Sequence, residues 1–254
     1  MIHIITIHFK NDKWIDPQLK QISKYISNYK VWTYCDGFDI LKHKHKFYFC
    51  ENFKNDNKKK ALEASSDHMM RLNSLTQLVL DDPETQESDF LIWMDSDAFP
   101  VNHVNDYISK KLLEYPLIAV NRPENGGDVI PHPSFTCTHA SFWKNHRLNW
   151  DGLPIDDPKK LCSAGGDLYD TGGKLYKYLL DQNIDWYRLL RTRSLTKHKV
   201  FFTIYDDLIY HHGAGSRAAK HPVCRGGDFG TTVDSHKMFD LMLEYFSINS
   251  ERER

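Results

Sequence analysis

The sequence predicts an α/β fold built on a mostly parallel sheet, and three observations predict it. As far as Pro100, apolar runs short enough for strands alternate with stretches of helical spacing. The run Phe90-Leu91-Ile92-Trp93-Met94 is apolar throughout, the pattern of a strand covered on both faces. Hydrophobic residues make up 41% of the 254 and charged ones 26%, enough for the core of one domain.

The elements follow in order. Ile2 to Phe9 reads as the first strand, because it lacks a basic start and is too short for a signal segment with its cleavage site. Asp16 to Ser27 carries helical spacing through Leu19, Ile22, Tyr25 and Ile26. Val31 to Tyr34 is the second strand, turned by Cys35-Asp36-Gly37, and Lys46 to Cys50 is the third. From Ser65 to Leu80, residues Met69, Leu72, Leu75, Leu78 and Val79 line one side of a helix. Asp67 sits where helix-starting acids are favourable. Phe90 to Met94 is the fourth strand, Val104 to Leu113 a helix, and Leu117 to Val120 a short buried strand. Pro123 to Pro133 holds Gly126, Gly127 and three prolines, so it reads as a loop. Ser134 to Trp143 alternates as a strand does. Trp150 to Gly166 is rich in Pro, Gly and Asp, like an active-site loop. Asp167 to Gln182 is a helix, Val200 to Tyr210 supplies the last strands, and Lys237 to Phe246 closes the fold. One domain over residues 1–249 is expected, with 250–254 a frayed polar tail.

Composition excludes several classes. A formal net charge of -1 supplies no reason to expect nucleic acid as a partner. The basic stretches Lys42 to Lys46 and Lys58 to Lys60 read as solvated surface, with a phosphate-steering rim as the other reading. No apolar run approaches the ~20 residues of a membrane span. Cys35, Cys50, Cys137, Cys162 and Cys224 are widely spaced and form no C-x-x-C pair. That pattern argues for a reducing compartment and a cytoplasmic protein.

Asp95-Ser96-Asp97 closes the fourth strand. Side chains alternate on an extended chain, so the two carboxylates point one way and Ser96 another. Open α/β sheets bind ligands at the carboxyl ends of their strands. Hard oxygen ligands at that place suit Mg²⁺ or Mn²⁺ carrying a diphosphate. The plain alternative is a capped strand end. Further along, His211-His212-Gly213-Ala214-Gly215-Ser216-Arg217 follows the last strand. A histidine there can complete the ligand set of Asp97, Gly213 and Gly215 let backbone approach a diphosphate, and Arg217 can pair with a phosphate oxygen. The alternative is a glycine-rich turn with two solvated histidines. Neighbours on an extended segment point in opposite directions, so one of the pair binds metal. Tyr210 ends the apolar strand and Gly213 begins the turn, which favours His212.

In this ordered set the chain resembles nucleotide-sugar-dependent glycosyltransferases of the GT-A fold, a Rossmann-like single domain with helices flanking the sheet. The matching pieces are the first strand and helix, Phe90 to Asp97 as the D-x-D motif, Asp167-Leu168-Tyr169-Asp170-Thr171-Gly172-Gly173 leading a helix, and Tyr210-His211-His212-Gly213. It looks most like small members such as those of large algal viruses (chloroviruses), which would act in the host cytoplasm. The resemblance implies a donor held through Mn²⁺ or Mg²⁺, UDP-hexose first, and a hydroxyl of a glycan or glycoprotein as acceptor. It implies Asp95, beside Ser96, on the ribose or donor sugar, and Asp97 on the metal with one of His211 and His212. Thr6 to Phe9, His8 included, would line the nucleobase pocket. Asp67, His68 and Arg71 would approach the nucleotide or sugar.

Transfer also needs a carboxylate near the acceptor or on the donor's own face. Asp167 and Asp170 lie beside Gly165-Gly166 and Gly172-Gly173 and are the candidates, with helix capping as their other reading. Among aromatics, Trp150 is the one expected to stack on a sugar, with Trp143 and Trp186 behind it. Two other classes compete: a non-catalytic carbohydrate-binding protein, and an aspartyl-phosphate phosphatase. The phosphatases put their acidic pair on the first strand, whereas three strands precede it here.

Overall fold

The computed structural model describes residues 1–53, 64–122, 128–154, 168–169, 171–196, 202–213 and 235–252. In chain order the strands are β1 Ile2–Phe9, β2 Tyr29–Asp36, β3 Phe49–Glu51, β4 Phe90–Trp93, β5 Ala98–Pro100, β6 Leu117–Arg122 and β7 Asp128–His139. There follow β8 Leu153–Pro154, β9 Leu168–Tyr169, β10 Tyr187–Leu189, β11 Arg191–Ser194, β12 Thr203–Tyr205 and β13 Ile209–His211. The helices are α1 Ile15–Tyr25, α2 Ala64–Asp81, α3 Asn105–Lys111, α4 Ala140–Asn145, α5 Gly173–Asp181 and α6 Ser235–Arg252.

A seven-stranded sheet runs in the order β10-β6-β7-β4-β1-β2-β3. Within it β7 alone opposes its neighbours, pairing antiparallel with both β4 and β6, while the other pairings are parallel. The mixed α/β architecture with a mostly parallel central sheet is therefore the expected one. Alternation along the strands explains why they sit inside. On β1, Ile2 and Ile4 enter one core with Ile15 and Ile22 of α1, and Ile5 and Ile7 enter the other with Leu72 and Leu75 of α2. On β4, Ile92 goes to the first core, and Leu91 and Trp93 go to the second.

A smaller antiparallel sheet, β11-β12-β13-β5, leaves the end of β4 through the acidic turn. Its apolar side makes a third core, where Phe99, Phe202, Ile204 and Tyr210 meet Trp14 and Met242 of α6. Among the described residues no helix is long and apolar enough to cross a membrane.

Several elements depart from the sequence reading. Tight helical turns at Ile40–Lys42 and Lys44–Lys46 occupy the start of the expected third strand, which shrinks to Phe49–Glu51. The expected loop up to Pro133 is strand from Asp128 on, because β7 carries its prolines through irregularities in register. The expected strand from Ser134 stops at His139, which pairs with Phe90 at the start of β4. Beyond that pairing the chain turns into α4, which buries Ala140 and Trp143. The helix expected from Asp167 begins only at Gly173. Gly172 has φ +98°, and a Cβ there would lie 2.9 Å from the Pro131 carbonyl, so this turn takes glycine and cannot continue a helix. The closing helix runs to Arg252, taking in the first residues of the expected tail.

Candidate active site

The site is built around one turn. β4 delivers Asp95 at its carboxyl end, and the Ala98 amide donates to the Asp95 carbonyl at 3.0 Å to close Asp95-Ser96-Asp97. Gln18, buried on α1, clamps the turn from below: its Nε2 donates to the carbonyls of Asp95 and Ala98, each at 2.7 Å. Thr6 supports Gln18, its hydroxyl donating to Oε1 at 3.4 Å. After the turn β5 pairs with β13 so that Ala98 faces His211, and the His212 amide donates to the Asp97 carbonyl at 3.0 Å. Residues over a hundred positions apart in the chain are thereby brought to one ion-sized space.

In that space Asp95, Asp97 and His211 offer ligand atoms that all lie within 4.8 Å of one another. His211 Nε2 stands 3.4 Å from Asp97 Oδ1 and 3.6 Å from Asp95 Oδ2. Two more imidazoles approach Asp95, with His68 Nε2 at 3.8 Å and His132 Nδ1 at 3.9 Å. Burial pushes the Asp95 carboxyl above its usual range and Asp97 adds to this, opposed by His68, His211 and Arg122. His132 is pushed well below the ordinary histidine value by burial first, then by Arg122 and the other two imidazoles. Two like charges held together out of water are costly unless something positive joins them. The donor set, carboxylates plus one imidazole, fits Mn²⁺ or Mg²⁺.

The expected histidine is corrected here. His211, not His212, faces the carboxylates. His212 turns to the third core, where Trp14 and Phe202 each lie 4.5 Å away between ring centroids and Tyr210 Oη is 2.9 Å from its Nδ1. Only one of the two neighbours faces the carboxylates. The strand simply runs one residue further than Tyr210, so the alternation selects the other.

The ends of β1 and β2 make the other side of the site. His8 is fully buried, with both ring nitrogens lacking a hydrogen-bond partner among the described residues, and burial takes its pKa down to about 3. Arg71 on α2 pairs with Asp36 at the end of β2 and donates from Nε to Asp67 at 2.8 Å. Its guanidinium lies near the rings of Phe9 and Phe53, at 5.2 and 4.9 Å from their centroids. Burial raises the Asp67 carboxyl, with His68 opposing.

The expected residues thus fall into groups. Asp95, Asp97 and His68 converge, with Ser96 half-buried on the turn. Asp67 and Arg71 form the base of the adjoining wall. Thr6 is buried beneath the turn, where it supports Gln18. Gly213 is buried beside His212. Asp167, Asp170, Gly215 and Arg217 lie outside the described residues. Trp150 is a correction: it is fully buried, 5.3 Å from Trp93 and 5.5 Å from Trp143 between centroids, and packs core. Trp143 and Trp186 are buried as well.

Sequence reasoning missed Gln18, Asp36, Arg122 and His132. Gln18 carried one signal, a polar residue on the apolar stripe of α1. His132 hid between two prolines in a stretch that reads as loop.

No family model matches the sequence, and no curated protein does. Among solved structures the chain is similar to TarS of S. aureus, at 12% identity and TM-score 0.41, over 59% of this chain and 30% of that one. TarS 1–349 in complex with UDP-GlcNAc gives 10% and 0.39 over 59% and 48%. The mannosyltransferase PcManGT from Pyrobaculum calidifontis, in complex with GDP-Man and Mn²⁺, gives 12% and 0.45 over 74% and 54%. The chain spans about a third to a half of the length of these proteins.

Proposed function

We propose that the chain is a metal-dependent glycosyltransferase of the GT-A type. It moves a sugar from a nucleoside-diphosphate donor, UDP-hexose first, to a hydroxyl of a glycan or glycoprotein. One observation carries this reading: Asp95, Asp97 and His211 converge at the carboxyl end of a central strand, where the sheet gives way to a second one. The reading keeps the cytoplasmic setting expected from the cysteine pattern.

Asp97 and His211, with Asp95 beside them, would hold Mn²⁺ or Mg²⁺. Such an ion supplies the positive charge that a departing nucleoside diphosphate needs. The chain's residues do the rest. Gln18 holds the acidic turn rigid, so the carboxylates need not reorganise when the donor arrives. The wall of Phe9, Phe53, Asp36 and Arg71 gives the nucleoside a flat, polar-edged surface. His8 adds two buried ring nitrogens that find no hydrogen-bond partner among the described residues, a cost that a polar ligand edge relieves. Gly213, Gly215 and Arg217 would follow the diphosphate. In the reaction the bond from the anomeric carbon to the phosphate oxygen breaks, its electron pair leaves on the diphosphate, and a bond to the acceptor oxygen forms. The acceptor proton goes to a base, for which Asp167 and Asp170 are the proposed groups.

Incubation with Mn²⁺ and a panel of nucleotide sugars, followed by assay of released nucleotide, tests the reading. Release that depends on acceptor and is abolished by chelator is expected. Metal-independent sugar binding without release would favour a carbohydrate-binding protein. Asp167→Asn or Asp170→Asn should lower turnover by about 10²–10⁴-fold without weakening nucleotide binding. Full activity in both removes them from the mechanism.

A further inference from the structure

Cys35 on β2 and Cys50 on β3 form a pair of thiols that sugar transfer does not use. The two strands align so that Thr33 faces Cys50. Side chains two apart on a strand share a face, so Cys35 stands on the same side as Thr33. Both thiols are buried in the first core, with their sulfurs 3.6 Å apart and one bonded to the other. An S–S bond is about 2.0 Å long, so a small closure of β3 on β2 completes it.

Burial by itself leaves a cysteine inert, but two features set Cys50 apart. β3 is only three residues long and stands at the end of the sheet, so few bonds hold it closed. The bond with Cys35 also keeps the Cys50 thiol below its ordinary value against burial, with Lys44 helping and Glu51 opposing. The same bond, together with burial, pushes the Cys35 thiol up. Cys50 is therefore the better nucleophile and Cys35 the thiol that follows it.

The pair stands at the root of the nucleoside wall. Cys35 is followed at once by Asp36, which holds Arg71 and accepts the Phe53 amide at 3.2 Å. Cys50 leads through Glu51 and Asn52 to Phe53, whose ring centroid lies 4.9 Å from the Arg71 guanidinium. Drawing the two sulfurs together moves both strands that carry this wall.

We propose that Cys35 and Cys50 are a redox site, closing to a reversible disulfide under peroxide and thereby displacing the Asp36–Arg71–Phe53 wall and weakening nucleotide binding. The bond itself is independent of the glycosyl-transfer reading; its effect on a nucleotide rests on that reading. The Cys50 sulfur attacks one oxygen of hydrogen peroxide, the O–O bond breaks, and Cys50 becomes a sulfenic acid as the first water leaves. The Cys35 sulfur then attacks the Cys50 sulfur, the S–S bond forms, the S–O bond breaks, and the Cys35 proton leaves in the second water. Two thiols give up two electrons and two protons, and one peroxide becomes two waters. In a reducing compartment an external thiol reopens the bond by exchange, so the closed state is transient.

Peptide mapping of peroxide-treated wild-type protein tests the bond. Trypsin cuts after Lys30, Lys42, Lys46 and Lys54, so the two cysteines fall on the separate peptides 31–42 and 47–54. These should appear linked without reductant and separate after dithiothreitol. In calorimetry with Mn²⁺, the oxidised protein should bind UDP and GDP about tenfold more weakly, and dithiothreitol should restore them. Mn²⁺ affinity by electron paramagnetic resonance should not move, since the acidic turn is not displaced. Cys50→Ala given the same peroxide should keep its nucleotide affinity. Absence of the linked peptide overturns the proposal, and so does a linked protein that binds nucleotide as before. If the reduced protein binds neither nucleotide in Mn²⁺, the glycosyl-transfer reading falls and takes the wall's role with it, while the linked peptide still decides whether the pair is a redox site.

Discussion

Two buried histidine–aspartate groupings sit at opposite ends of β1 and β4, and they are built in opposite ways. At the amino end, Asp89 is saturated: the Met1 amine donates to it at 2.7 Å, the Gln86 amide at 2.9 Å, and His3 Nε2 lies at 3.1 Å. Trp32 Nε1 then donates to His3 Nδ1 at 3.2 Å, which leaves the proton of His3 on Nε2, facing Asp89. At the carboxyl end, Asp95 meets its three imidazoles only at 3.6–3.9 Å. His211 Nδ1 is buried with no hydrogen-bond partner among the described residues. The carboxyls shift accordingly. Burial would raise Asp89, but the Gln86 amide, the Met1 amine and His3 outweigh it and hold it below its usual range. Burial wins at Asp95 and raises it. The saturated grouping satisfies its own buried polar groups, and the unsaturated one leaves ligand atoms of Asp95, Asp97 and His211 within 4.8 Å of one another, which suits the proposed ion.

The largest effect that would break this contrast is at Asp97. Asp97→Ala should lower metal-dependent nucleotide release by about 10³-fold while leaving the melting temperature level or higher, since it relieves the carboxylate pair. A clear loss of stability with activity intact would make the two ends alike.

Asp89→Ala should do the reverse. It leaves the buried His3 Nε2–H without its acceptor and the Met1 amine without its counter-charge, at a cost of about 3 kcal/mol in chemical denaturation, and Mn²⁺ affinity should stay at the wild-type value.

Adjacent histidines sharpen the same contrast at smaller scale. His211→Ala should raise the Mn²⁺ concentration needed for half-maximal activity by about 10–100-fold with little change in stability. His212→Ala should lose about 2 kcal/mol of stability, through its cavity and the bond to Tyr210, and keep its metal response. Exchanged outcomes would restore His212 as the ligand.

The smallest effect is a slope. His8 stays neutral in the folded protein down to about 3, whereas the unfolded chain takes up its proton below the ordinary histidine value of 6.5. The unfolded state therefore binds more protons in that window. Stability from His8 is whole above pH 6.5 and declines as pH falls towards 3. In denaturation series over that range, His8→Gln should reduce the pH slope by about one proton. An unchanged slope would mean that His8 is not held neutral.

Much of this molecule is legible in its sequence, and the reasons are local. The β1–β4 region reads well because parallel strands covered on both faces show as unbroken apolar runs, and α2 because its apolar positions repeat at helical spacing. The acidic turn is legible because it closes such a run. The part from β7 to α5 is not, since prolines and glycines that read as loop are accommodated there by bulges and by one left-handed turn against Pro131. Trp150 was misplaced for the same reason: a loop-like composition around it says nothing of the two tryptophans it packs against.

By itself, then, the sequence determined the α/β class, the order of the first elements and the carboxylate pair at a strand's end, because each follows from periodicity over a few residues. Tertiary structure alone decided that His211 rather than His212 completes the set, since that depends on where β13 stops and which strand it pairs with. It alone brought Gln18 beneath the turn and His132 beside it. Those contacts join residues dozens of positions apart, and no local pattern encodes the register that makes them neighbours.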